Sequence, residues 1–199
     1  MRISPILKEI ADKELLRSLF YTDLSLLNGQ MGASIFFAQL CRTCDNHWYE
    51  DFADELLENV CQNISNQLPV NFANGLCGIG WGIEFLKYKG FIADDTDDIL
   101  ADIDKAVMER DVRRITDISL ETGLSGIAAY VESRLKTQRT NPGYQPFDTI
   151  YLSDLAAAIE TKCNSAKEKG IDITWCECIS IWSDSAELSW KKGLVILNS

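Results

Sequence analysis

Histidine is almost missing from this chain: His47 is the only one among 199 residues. A Ser-His-Asp hydrolase would have to use His47, and nothing beside it marks a nucleophile elbow. Positive charge is also short, with 19 Lys and Arg against 30 Asp and Glu and a formal net charge of −11. Such a surface repels phosphate backbones, so a nucleic-acid partner is excluded. The one compact basic group, Arg110, Arg113 and Arg114, is interleaved with Glu109 and Asp111 and reads as a solvated helix end. There is no long apolar run either. The opening MRISPILKEIADKELLRSLF breaks its apolar positions with charges every few residues, unlike a signal peptide or membrane helix. Cytoplasm is therefore the expected location, without a membrane partner. Seven cysteines (41, 44, 61, 77, 163, 176 and 178) lack disulfide-framework spacing, and buried reduced thiols are expected.

What is present is an ordinary globular composition, 46 % hydrophobic and 25 % charged, which points to a single domain over 1–199. Its most informative stretch is Asn74 to Phe85, NGLCGIGWGIEF, with four glycines in an otherwise helical apolar pattern. Each interior glycine costs a helix about 1 kcal/mol relative to alanine, so the cluster needs a geometric reason. A phosphate loop is not that reason, because no strand precedes the glycines and no Gly-Lys-Ser/Thr ends them.

The motif recurs. Gly29 and Gly32 stand in LLNGQMGASIFFAQL, Gly75 and Gly78 in ANGLCGIGWGIEFL, and Gly123 and Gly126 in LETGLSGIAAYVESRL. The first glycines lie 46 and then 48 residues apart, and each opens an apolar helix of three to four turns. Amphipathic helices lie between them, at about 49–65 and 97–108, with others after Ser4-Pro5 and at about 149–167. A unit of about 47 residues accommodates an α-hairpin with one surface and one buried helix. The chain then holds about four hairpins, roughly 3–46, 47–92, 93–138 and 139–199. Glycines at the start of each buried helix let neighbouring backbones and turns converge on a common axis.

A double layer of helices with Gly-x-x-Gly opening each inner member resembles the lanthionine synthetase C-like family. The motifs SLLNGQMG, NGLCGIGWGIEFL and LETGLSGIAAY carry the likeness over most of residues 3–136. It implies an all-α fold of the α/α toroid type, here an incomplete ring. SWKKGLVILNS is similar to the start of a fourth inner helix, with Gly193 as its first glycine and Ile196 where the second belongs. An arc of this kind leaves an apolar flank for a partner or a second copy of the chain.

Family cyclases add a peptide cysteine thiol across a dehydrated serine or threonine, with zinc holding the thiolate on Cys, Cys and His ligands that include an adjacent Cys-His pair. This sequence has no Cys-His dipeptide, and His47 lies in the first repeat. Trp175-Cys176-Glu177-Cys178 is similar to the Trp-Cys that opens a zinc-bearing helix in the family, but no Gly-x-x-Gly and no histidine follow; two buried thiols are the plainer reading. Cys41, Cys44 and His47, spaced by three, would need a fourth metal ligand from elsewhere, and packed thiols explain them as well. Asp94, Asp95, Asp97 and Asp98 lack the glycine and terminal Glu of a calcium loop and fit helix capping. Glu84 and Glu132, each in an apolar inner helix, are the candidate catalytic carboxylates of a toroid enzyme acting on a sugar or peptide.

The expected function is that of an auxiliary, non-catalytic relative in lanthionine-type peptide maturation, binding a peptide or partner protein with no cofactor. The alternatives are the carboxylate enzyme and a helical-repeat interaction module that docks or dimerises through its open flank.

Overall fold

The computed structural model describes residues 3–18, 20–44, 46–139, 141, 143–164 and 189–198. Among these the protein is all-α: α1 (Pro5–Ser18), α2 (Gln30–Cys44), α3 (His47–Asn63), α4 (Leu76–Tyr88), α5 (Asp97–Met108), α6 (Leu124–Lys136), α7 (Thr149–Asn164) and α8 (Trp190–Asn198). A single 3₁₀ turn spans Val112–Arg114. No described helix is long and apolar enough to cross a membrane.

The helices alternate in character as the apolar periodicity requires. In α4 every residue from Leu76 to Leu86 is buried, whereas α3 buries only Ala53, Leu56 and Val60. The first is a core helix and the second a surface helix with a narrow apolar stripe. Local chemistry sets their ends. The Ser4 hydroxyl accepts the Leu7 N–H at 3.3 Å, with Pro5 at the first helical position. At the end of α4, Gly90 takes φ 74°, and the N–H groups of Gly90 and Phe91 donate to the Lys87 and Leu86 carbonyls. This left-handed cap favours glycine. Helix α3 begins two residues earlier than its apolar stripe suggests, because Asn46 Oδ1 accepts the Trp48 N–H and starts the turn.

The chain forms two compact units, one holding α1, α2, α3 and α8 and the other α4 to α7. In the first, α2 packs against α1, α3 and α8. Helix α8 starts at Trp190, so Gly193 lies inside the helix rather than ahead of it. This corrects the expectation that Gly193 opens a helix. Its role is space: a Cβ there would lie 2.3 Å from the Phe36 ring, and one at Gly32 would lie 2.4 Å from the Trp190 ring. Each helix thus offers a glycine to the other's aromatic ring.

In the second unit α4 packs against α5 and α6, and α7 against α6 and the 3₁₀ turn. Gly80 admits the Tyr130 ring, with a hypothetical Cβ only 2.4 Å away. Arg113 and Arg114 of the turn are exposed and pair with Asp111, and Arg113 also reaches Asp154 at 3.5 Å.

Candidate functional site

The repeated glycines open α2, α4 and α6, which carry Cys41 and Cys44, Glu84, and Glu132 respectively. The segments 23–29, 69–75 and 117–123 form three lead-in loops with one shared hydrogen bond: the first helical N–H, of Gln30, Leu76 or Leu124, donates to the carbonyl of Asp23, Pro69 or Asp117 at 2.9, 2.8 and 2.9 Å. A Cβ at Gly29, Gly75 or Gly123 would sit 2.3, 1.9 or 2.5 Å from those same carbonyl oxygens. The crowding at the first glycine therefore comes from its own loop, not from the converging helices expected above. Two of the second glycines are crowded by a loop carbonyl too, Gly32 by that of Leu26 as well as by the Trp190 ring. Gly126 meets the Leu120 carbonyl of its own loop and Phe72 of the 69–75 loop, and Gly78 is buried in the first turn of α4.

Glu84 and Glu132 are not brought together. Glu84 is wholly buried, and its carboxylate accepts Arg134 Nη1 at 2.8 Å and Thr96 Oγ1 at 2.9 Å, with the Thr137 hydroxyl on its other oxygen. Glu132 lies half-exposed on α6 and pairs with Lys136 one turn later. The candidate carboxylate pair is therefore not assembled.

Glu84 instead belongs to a buried ionic cluster that the sequence reading missed. The Arg134 guanidinium, itself fully buried, contacts Glu84, Asp97 at 3.0 Å and Asp104 at 2.7 Å. Asp104 also accepts the Tyr130 hydroxyl at 2.5 Å, and Arg139 binds Asp97 at 3.1 Å and the Arg134 carbonyl. Burial pushes the Asp104 carboxyl above its ordinary value, against the pull of Arg134. Burial alone would lower the Arg134 guanidinium, but Asp104 and Glu84 leave it raised. Tyr130 is raised by burial and then by the Asp104 carboxylate. These groups consume one another's hydrogen-bonding capacity, so the cluster fastens α4, α5 and α6 instead of presenting a reactive group. A signal existed: Glu84 and Arg134 are opposite charges inside successive glycine-opened apolar helices.

The remaining candidates are dispersed. Cys41 and Cys44 donate back to the Ala38 and Leu40 carbonyls of α2, while His47, on α3, is largely exposed and pairs with Glu50. Among the described residues no three His, Cys, Asp or Glu side chains gather as a metal cluster. Cys176 and Cys178 lie outside the described residues. In the acidic run, Asp95 Oδ1 accepts the Asp97 N–H at the start of α5, whereas the Thr96 hydroxyl goes to Glu84 and Asp97 to the arginines. Capping thus accounts for only part of that run.

One open cavity has a distinctive lining. A cleft of about 480 Å³ in the first unit is bordered by Ser18 of α1, Gln30 of α2, and Phe52, Glu55, Glu58 and Asn59 of α3. Its floor is built from amides: Gln30 Nε2 donates to the Tyr21 carbonyl at 2.9 Å, and Asn59 Nδ2 donates to Gln30 Oε1 at 2.6 Å. A second cleft, of about 270 Å³ beside α5, mixes Asp102 and Glu109 with Lys105 and Arg110.

The sequence matches no family model and no curated protein.

Proposed function

We propose that this chain is an auxiliary, non-catalytic relative of the lanthionine synthetase C-like proteins, binding a peptide or partner protein during lanthionine-type peptide maturation. The scaffold we assign is an incomplete α/α toroid-type array of helical hairpins, in which α2, α4 and α6 are inner helices. The observation that carries the reading is the lead-in loop, repeated three times with the same backbone hydrogen bond over the residues of the Gly-x-x-Gly motif. Two features favour binding over catalysis. Glu84 is committed to Arg134, and the sequence contains no Cys-His dipeptide to supply the family's metal ligands. No cofactor is assigned.

The test uses a fluorescein-labelled model peptide with one dehydroalanine and one cysteine, incubated with the purified protein with and without added zinc. The expected result is a rise in anisotropy with thioether formation at the uncatalysed rate by mass spectrometry. Faster cyclisation in the presence of the protein, or no anisotropy change at submillimolar protein, would overturn the reading.

A further inference from the structure

We infer that the cleft bordered by α1, α2 and α3 is a docking site for an arginine-bearing peptide segment, with Glu55 and Glu58 receiving the guanidinium and Phe52 forming its apolar wall. The inference deepens the peptide-binding reading above and rests on it.

Three observations converge on that ligand. The first is charge. Helix α3 carries Glu50, Asp51, Asp54, Glu55 and Glu58 and no lysine or arginine. No basic side chain borders the cleft, and Glu55 has no ion pair among the described residues. The nearest cation in sequence on α1, Arg17, is committed to Glu14 at 3.4 Å and lies over the Tyr21 ring. Burial, then Glu50 and Asp51, push the Asp54 carboxyl up, which marks this helix as short of positive charge.

The second observation is an internal comparison between repeats. The residue that follows the first glycine is Leu76 in α4 and Leu124 in α6, but Gln30 in α2. Gln30 is only 6 % exposed, and burying an amide is costly unless it is hydrogen-bonded. Tyr21 and Asn59 supply those bonds, so the cleft floor is a polar surface where the other repeats place leucine.

The third is the aromatic wall. Phe52 borders the cleft and is stacked on half-exposed Trp48, ring centroids 5.5 Å apart and planes within 6°. A planar guanidinium stacks on such a ring while its N–H fork reaches carboxylates and amide oxygens; an ammonium does so less well.

The probe is a short fluorescein-labelled alanine peptide with spaced arginines, compared with lysine and glutamate counterparts by anisotropy at moderate salt. We expect the arginine peptide to bind, the lysine peptide to bind several-fold more weakly, and the glutamate peptide not to bind. The double substitution Glu55→Gln with Glu58→Gln should weaken arginine-peptide binding roughly tenfold, in the range of two partly exposed ion pairs. The control Asp94→Asn with Asp98→Asn removes the same charge from exposed positions elsewhere and should leave binding within about twofold. Equal weakening by both pairs, equal affinity for lysine and arginine, or no arginine-peptide binding would each overturn the assignment. If the dehydroalanine peptide binds and the arginine peptide does not, the cleft is overturned while the peptide-binding reading stands. If the arginine peptide binds through the cleft and the dehydroalanine peptide does not bind, the cleft stands and the maturation reading falls.

Discussion

The Arg134 guanidinium lies 2.8 Å from the Glu84 carboxylate, fifty positions away in sequence, with neither side chain exposed to solvent. The pair joins α6 to α4, and Asp97 and Asp104 join the same guanidinium to α5. Buried ion pairs contribute little relative to a well-packed apolar replacement, because desolvation offsets their attraction. Removing one partner is different, since it strands the others in a low-dielectric interior.

Arg134→Met is accordingly expected to cost about 3–5 kcal/mol in urea unfolding at neutral pH. Without the cation, burial acts on the Asp104 carboxyl unopposed by Arg134, and Asp104 binds its proton more tightly in the folded than in the unfolded chain. Stability then falls as pH rises through the raised pKa of Asp104, so the loss should shrink at mildly acidic pH. A loss independent of pH would show that packing, not charge, sustains this junction.

Glu84→Gln and Glu132→Gln should separate sharply. The first replaces a buried acceptor of arginine and threonine donors and should cost about 1–3 kcal/mol. The second breaks an exposed pair with Lys136 and should change stability by no more than about 0.5 kcal/mol. Equal costs by chemical denaturation would contradict the burial of Glu84.

Among the glycines, Gly75→Ala should destabilise by at least about 2 kcal/mol, because the added Cβ falls 1.9 Å from the Pro69 carbonyl and the loop must open. Gly143→Ala meets nothing closer than Asn141 Oδ1 at 3.4 Å and should stay within about 0.5 kcal/mol. Thermal unfolding of the two variants provides the comparison.

Carboxyl titration by NMR should find Asp104 protonating above the ordinary value of 3.8 and Asp117 below it. Burial raises Asp104, so between 3.8 and its folded pKa the native state holds a proton that the unfolded chain has released. That group makes the protein less stable as pH rises through this window. Asp117 accepts the Thr122 hydroxyl and the Ser119 N–H, and its contribution is present above 3.8 and lost as pH falls through its lowered pKa. The reverse order of titration would refute both assignments.

Much of the fold was legible because it is local. Asp97 to Met108 reads as a helix from its apolar stripe and occupies those residues. The Gly-x-x-Gly spacing located the starts of α2, α4 and α6, since a tight loop leaves no room for Cβ whatever surrounds it. Of the ionic cluster, only the opposite charges of Glu84 and Arg134 in successive apolar helices were legible. Asp97 and Asp104, two turns apart, share the buried face of α5 with Leu100, Ile103 and Val107, but the spacing within that helix does not name Arg134 of α6 as their partner. The amide floor of the cleft was equally hidden, because Gln30 and Asn59 meet across 29 positions.

Chain order and residue type alone determined the helical character of the described residues and the three glycine-opened helices, because helical periodicity and the lead-in loop involve only residues a few positions apart. Tertiary structure decided the rest: that Glu84 is locked to Arg134 while Glu132 is not, and that Gly193 serves Phe36. Those outcomes depend on which faces meet at a distance, where burial turns an ordinary carboxylate or glycine into a partner that the local sequence does not reveal.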